Sequence, residues 1–262
     1  MPLGPRRPID SDAKLLKKKY CLYHRDTQAK KGPTMAVMLD LSVPVCDGDG
    51  RLGLQVKFTT PYTYEAVNWQ GSSFCMFCHY GTHVDAPNHF ICDGISIEKV
   101  PLDRIMGPAA VVELSDFGQE GKITGNILEE RGRHVERNDI AILRTGWSDK
   151  HWGTDTFWQK GPYLSPDAGD WLVERGVKAV VYDFSEEYVV RNAGFRGEDC
   201  VVHHKILGNS IFNIEYVINL AKIERPRCAI IALPLNLVGL DGSPSRVIAL
   251  DGVDLPKEFE LK

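Results

Sequence analysis

No run of apolar residues in this chain approaches the roughly 18 needed to span a bilayer, and Met1-Pro2-Leu3-Gly4-Pro5-Arg6-Arg7-Pro8 has no secretory hydrophobic core. Neither membrane insertion nor export is therefore expected, and the expected location is cytoplasmic. An even, clustered set of cysteines is missing too. The seven present, at positions 21, 46, 75, 78, 92, 200 and 228, fit reduced thiols better than a disulfide framework. Net charge is small: −4 over 262 residues offers no field for nucleic acid. The one basic run, Lys14 to Lys19 with Lys17-Lys18-Lys19, reads as a solvated terminus. Internal repeats, low-complexity linkers and a Gly-x-Ser-x-Gly elbow are all absent, which favours one domain and disfavours a serine esterase.

What remains is an ordinary globular composition, 43% hydrophobic and 25% charged, enough for a substantial core. Residues 1–34 are polar, basic and Pro-containing, and read as an extension ahead of a domain over 35–262. Strand-like runs rich in Val and Ile, bounded by Gly, Pro or Asp, occur at Met35–Leu41, Ala109–Leu114, Ile140–Arg144, Ala179–Tyr182, Ala229–Leu233 and Arg246–Leu250.

Helical stretches lie between the strand-like runs. Ser165, Pro166, Asp167 and Gly176 mark the start and stop of one. Gly125–Arg131 after Thr124 predicts a second. Ile214, Val217, Ile218 and Ala221, at helical spacing, predict a third over Ile214–Ile223. The expected class is α/β, a single domain with a mixed β-sheet or barrel-like core flanked by helices. The pattern does not choose between barrel and open sheet.

Three of the eight histidines fall in one eleven-residue stretch, His79-Tyr80-Gly81-Thr82-His83-Val84-Asp85-Ala86-Pro87-Asn88-His89. Even placement would put about 0.3 there. Imidazole and carboxylate are the N and O donors that bind Zn²⁺ and similar ions. Clustered without a cation, they repel or strand protons. In an extended chain His79, His83, Asp85 and His89 would share one face. Gly81 and Pro87 argue instead for a bent strand or loop. Cys75-Met76-Phe77-Cys78-His79 also matches a haem-attachment pattern. That reading requires export and leaves His83, Asp85 and His89 unexplained, so both cysteines are expected to pack as small core residues.

The pattern His-x-Gly-Thr-His-x-Asp-x-Pro-x-His-Phe over His79–Phe90 resembles the signature of the kynurenine formamidase/cyclase family of metal-dependent hydrolases, which includes isatin hydrolases. Weaker blocks keep the family's order: Asp40-Leu41-Ser42, Ile97–Ala110, Leu143–Trp147, Leu172–Gly176 and Ser243-Pro244-Ser245-Arg246, so the likeness covers about residues 37–250. The resemblance implies His79, His83 and Asp85 as ligands of a first metal, with Asp85 able to bridge to a second ion. It implies His89 as general acid/base. It further implies a later His followed twelve residues on by Glu, matched by His203 and Glu215, with His204 open as a one-residue slip. Read without the family, Glu215 is a first-turn helix residue favoured by the dipole.

One departure stands out. The family's aromatic-Pro-Gly element is replaced by Pro44-Val45-Cys46-Asp47-Gly48-Asp49-Gly50, which puts N-formylkynurenine in doubt as substrate. Phe58, Tyr62, Tyr64 and Trp69 are alternative pocket walls, with structural packing the default for each.

The expected activity is hydrolysis of a small cyclic or N-acyl amide, a C–N bond other than a peptide bond. One or two divalent ions, Zn or Mn, would assist it. A lactone hydrolase, a dehydrating cyclase and a non-catalytic metal-binding protein are the rivals. The expected partners are a small-molecule substrate and, from the extension and family habit, a second copy in a homodimer or homotetramer.

Overall fold

The structure is a computed structural model that describes residues 35–257; the basic run and Cys21 lie outside the described residues. Its strands are β1 (Val37–Asp40), β2 (Gly50–Arg51), β3 (Leu54–Gln55), β4 (Lys57–Tyr62), β5 (Gly71–Cys75), β6 (His83–Asp85), β7 (Met106–Glu113), β8 (Lys122–Ile123), β9 (Ile140–Arg144), β10 (Tyr163–Leu164), β11 (Ala179–Tyr182), β12 (Phe212–Glu215), β13 (Arg227–Pro234) and β14 (Gly242–Asp251). Hydrogen bonding runs β14-β13-β7-β9-β11-β12-β6 and back to β14, so seven strands close into a mixed barrel. The β7, β9, β11 and β12 strands are parallel, and the remaining joins are antiparallel.

Closure depends on the long β14. Its Gly242–Pro244 segment pairs with Asp85–His83 of β6, while Ile248–Asp251 pairs with β1.

Two buried layers explain why the central strands read as nearly continuous apolar runs. Ala109 and Val111, Ile140 and Ile142, and Ala179 and Val181 join a cluster drawing residues from all seven barrel strands, which is the barrel interior. Their alternates Ala110, Val112, Ala141, Leu143, Val180 and Tyr182 pack outward with Leu128, Trp171, Leu172, Val202 and Ile206. These last belong to the helices Gly125–Arg131, Pro166–Arg175 and Val201–Gly208. Parallel neighbours require such crossovers, and each fully buried Leu or Ile stabilises by roughly 1.5–3 kcal/mol.

Pro166–Arg175 forms as its sequence signals predict. Gly176 adopts φ 70° and returns its N–H to the Leu172 and Val173 carbonyls. Ser165 occupies the cap position but does not cap its own helix; its hydroxyl donates to the Ile123 carbonyl at 3.1 Å. Thr124 does cap Gly125–Arg131, accepting from Ile127 N–H.

Three expectations fail. Ile214–Ile223 is not a helix: Phe212–Glu215 is strand β12, and only Leu220–Lys222 makes a 3₁₀ turn. All four residues of β12 are buried, and in a fully buried strand hydrophobic spacing no longer separates helix from strand. Cys75 is exposed and Cys78 half-buried, so neither is a core residue. Phe58, Tyr62, Tyr64 and Trp69 stand 43–64% exposed on and beside the β4–β5 hairpin, away from the histidine cavity. No helix among the described residues is long and apolar enough to cross a membrane.

Candidate metal centre and active site

Residues of β6 and β12 alternate across the barrel wall. Val84, Phe212 and Ile214 face the interior, so His83, Asp85, Asn213 and Glu215 project from the opposite side. Register places Glu215 beside His83. The chain reaches β6 through Gly81 at φ 73°, a left-handed turn open to glycine, and leaves it through a 3₁₀ turn at Pro87–His89. The bend folds His79 and His89 back over the strand instead of leaving them strung along it.

Distances define the cluster. His79 Nδ1 lies 2.7 Å from Asp85 Oδ1, and His83 Nε2 lies 3.2 Å from the same oxygen. His203, on the Val201–Gly208 helix, brings Nε2 within 3.0 Å of Glu186 Oε1, 3.3 Å of Glu215 Oε1 and 3.7 Å of Asp85 Oδ2. Four overlapping donor groups result: His79–His83–Asp85 and Glu186–His203–Glu215 are buried throughout, while His79–His89–Asp241 and Asp85–His89–His203 include the less buried His89. His203 rather than His204 faces inward; His204 hydrogen-bonds the Gly197 carbonyl.

His89 lies flat on His79 with ring centroids 3.6 Å apart. Its Nδ1 is 3.4 Å from Asp241 Oδ2, which also takes His79 Nε2 at 2.9 Å. The structure thus brings together all six residues singled out in the sequence, and adds Asp241, Glu186 and Glu187.

Burial works against charge on His79, but Asp85 and Asp241 outweigh it and lift its pKa to about 9. Burial likewise opposes His203, which Glu186, Glu187 and Glu215 hold well above the usual imidazole range. Burial raises Asp85, yet His79 and His83 draw it well below the carboxylate norm. Glu186 moves upward through burial and the facing Glu215. Hydrogen bonds from His79 and His89 keep Asp241 low. These are the directions expected where acids and imidazoles share protons in a dry site.

A divalent cation fits the same donors. Buried His83 Nε2 and Glu215 Oε1 approach Asp85 and His203 but make no aligned hydrogen bond. No Lys or Arg among the described residues forms an ion pair with Asp85, Glu186 or Glu215. Outer contacts set the donor atoms: His83 Nδ1 binds the Gly81 carbonyl, and Glu187 accepts from the His203 backbone N–H at 2.9 Å and faces its Nδ1. Both arrangements leave Nε2 for the ion.

The cluster floors a cavity of about 190 Å³, below the ~300–1,000 Å³ usual for ligand pockets and suited to a small molecule. Phe77, Phe90, Phe195 and Val190 supply apolar wall. Arg51, at the tip of the β2–β3 hairpin, contributes a cation. Its guanidinium sits 4.0 Å over the Trp158 ring and donates to the Tyr216 hydroxyl at 2.9 Å.

Residues 39–186 match the family described as Cyclase, "Putative cyclase", over more than half of the chain and through the histidine stretch. The chain belongs to the Cyclase family. Among curated relatives, the kynurenine formamidases of Bacillus cereus and Bacillus anthracis are each 29% identical over 197 residues, covering 72% of this chain and 87% of theirs. Among solved structures, isatin hydrolase A from Ralstonia solanacearum is 25% identical with TM-score 0.71, over 82% of this chain and 92% of that one. An isatin hydrolase bound to the product analogue thioisatinate superposes with the same TM-score and coverage at 19% identity, a likeness of fold.

Within this cyclase-family fold, Glu186 and Glu187 had one overlooked signal. They lie four and five residues past the carboxyl end of the buried parallel strand β11, the end at which α/β folds place their sites. Asp241, a lone bend residue just ahead of β14, had none.

Proposed function

We propose that this protein is a metal-dependent hydrolase of a small cyclic or N-acyl amide, a lactam, isatin-like ring or formamide. One observation carries the reading: six buried ligand-type side chains converge, while the less buried His89 leans on them and is tied to Asp241 (Nδ1 to Oδ2 3.4 Å). A purely structural metal site has no use for that further group. The formamidase relatives and the isatin hydrolase neighbours support the amide class.

His79, His83 and Asp85 would hold a first ion, and His203 with Glu215 a second, Asp85 lying between them. When bound, such an ion acts as a Lewis acid and makes water nucleophilic near neutral pH. The protein's own part is positional. Asp241 faces His89 Nδ1, which leaves Nε2 to take a proton from attacking water and return it to the departing nitrogen. The walls of Phe77, Phe90 and Phe195 clasp an apolar ring and exclude water. The Arg51 N–H groups suit a carbonyl or carboxylate at the mouth.

Zn²⁺ and Mn²⁺ both suit the donor set. A homodimer or homotetramer is supported by the exposed Tyr62, Tyr64, Trp69 and Phe74 on and beside the β4–β5 hairpin, a patch of the kind that marks protein contacts. A reducing cytoplasmic location suits the free thiols.

The test is metal analysis of protein purified without chelator, followed by assays on isatin, lactams, lactones and formyl-anilines. Stoichiometric metal with amide opening is expected, and Asp85→Ala should lose both. A metal-free, inert wild type overturns the proposal; cleavage of lactones alone moves it to ester chemistry.

A further inference from the structure

We propose that Glu186 is itself a metal ligand, completing with His203 and Glu215 a second-ion site joined to the first through Asp85. The inference rests on the metal-hydrolase reading but adds a residue that the histidine motif and the His203–Glu215 spacing do not supply.

Glu186 is 1% exposed. Its Oε1 stands 3.0 Å from His203 Nε2, closer than Glu215 Oε1 at 3.3 Å. The three donors lie within 4.8 Å of one another. Glu186 Oε2 and Glu215 Oε1 are both buried and make no hydrogen bond, Glu215 Oε1 meeting His203 Nε2 only out of line, an arrangement that is costly unless a cation supplies the missing partner.

A simple hydrogen-bonding role for Glu186, orienting His203, is already filled. Glu187 Oε1 accepts the His203 N–H and faces Nδ1 from behind. The two adjacent glutamates therefore divide the work: Glu187 sets the ring, and Glu186 turns to the face where Nε2 points.

Charge makes the same argument. Asp85, Glu186, Glu187 and Glu215 are four buried carboxylates in one cluster, with imidazoles as their only ionic partners among the described residues. One divalent ion leaves such a set short of positive charge, and two satisfy it. The donor types also differ between halves. His79–His83–Asp85 is nitrogen-rich and suits Zn²⁺. Glu186–His203–Glu215, with Asp85 Oδ2 beside it, is oxygen-rich and accommodates Mn²⁺ more readily.

The experiment strips the full chain of metal, then titrates Mn²⁺ and Zn²⁺ into wild type and Glu186→Gln by calorimetry. Bound ions are counted by elemental analysis, and Mn²⁺ spectra are recorded by electron paramagnetic resonance. Glutamine keeps the size and an acceptor oxygen but not the charge. Wild type should bind two ions per chain with the spectrum of a coupled Mn²⁺ pair. Glu186→Gln should keep the first ion, lose the coupling and bind the second at least about 10–100-fold more weakly, the range that even outer contacts command. If Glu186→Gln does not fold, Glu186→Asp, which keeps the charge on a shorter arm, should show a weakened second ion.

Two ions bound with wild-type affinity by Glu186→Gln overturn the assignment. So does a wild type that binds only one ion, unchanged in the variant, although the metal reading would then stand. A wild type binding none sinks the metal reading itself.

Discussion

The His89 ring rests on the His79 ring, planes inclined by 14° and centroids 3.6 Å apart. The proposed proton carrier is therefore held by contact with a proposed metal ligand, and Asp241 clamps both. His89→Ala should leave metal content intact while lowering kcat by ~10²–10⁴-fold, the usual span of general acid/base catalysis. Elemental analysis beside steady-state kinetics checks it. Wild-type turnover in the variant would remove His89 from the mechanism.

Asp241→Asn replaces the carboxylate shared by His79 and His89 with an amide. Metal affinity or activity should fall by about 10–100-fold. Competition against a chromogenic chelator measures the affinity, and an unchanged constant together with unchanged kcat would make the Asp241 contacts incidental.

Metal removal should destabilise the fold, because a cation binds the assembled cluster and not the unfolded chain. At an ion concentration 100 times Kd, stripping loses about 2.7 kcal/mol, or about 5–10 °C in Tm for a domain of this size. Melting curves with and without chelator test this, with recovery on adding Zn²⁺ or Mn²⁺.

Gly242 opens β14 where His79 crosses it. A Cβ there would lie 2.7 Å from His79 Cε1 and 2.9 Å from the Val84 carbonyl oxygen. Gly242→Ala should lower stability by roughly 1–3 kcal/mol through overpacking and weaken metal binding by displacing His79. Denaturant titration and metal counting read the two effects separately.

Burial pushes the Cys228 thiol up to about 12, and burial with Glu187 does the same for Cys200. Thiolate is the reactive form, so both should resist a thiol reagent at pH 8 until the protein unfolds. Exposed Cys75 and Cys92 should react at once. Mass spectrometry of partly labelled protein distinguishes them.

Much of this was legible locally. Ile140–Arg144 and Ala179–Tyr182 are strands at the predicted bounds, and Gly125–Arg131 and Pro166–Arg175 are the predicted helices. Caps, turn residues and apolar period act within a few residues, and local sequence carries them. The segment at Ile214 is not legible in this way because β12 is buried throughout by β11, β6 and the layers on either side, and that burial is a property of neighbours remote in sequence.

The chain alone determined which segments extend or coil, and it gathered imidazoles and a carboxylate within eleven residues around a glycine and a proline. Only the folded barrel decided that β14 returns to β6, closing the sheet and delivering Asp241 to His79. Only there do Glu186 and Glu187 meet His203 from either side. The reason is physical: conformational preference is set by adjacent atoms, whereas strand partnership and charge neutralisation are settled between residues that meet after the chain has closed on itself.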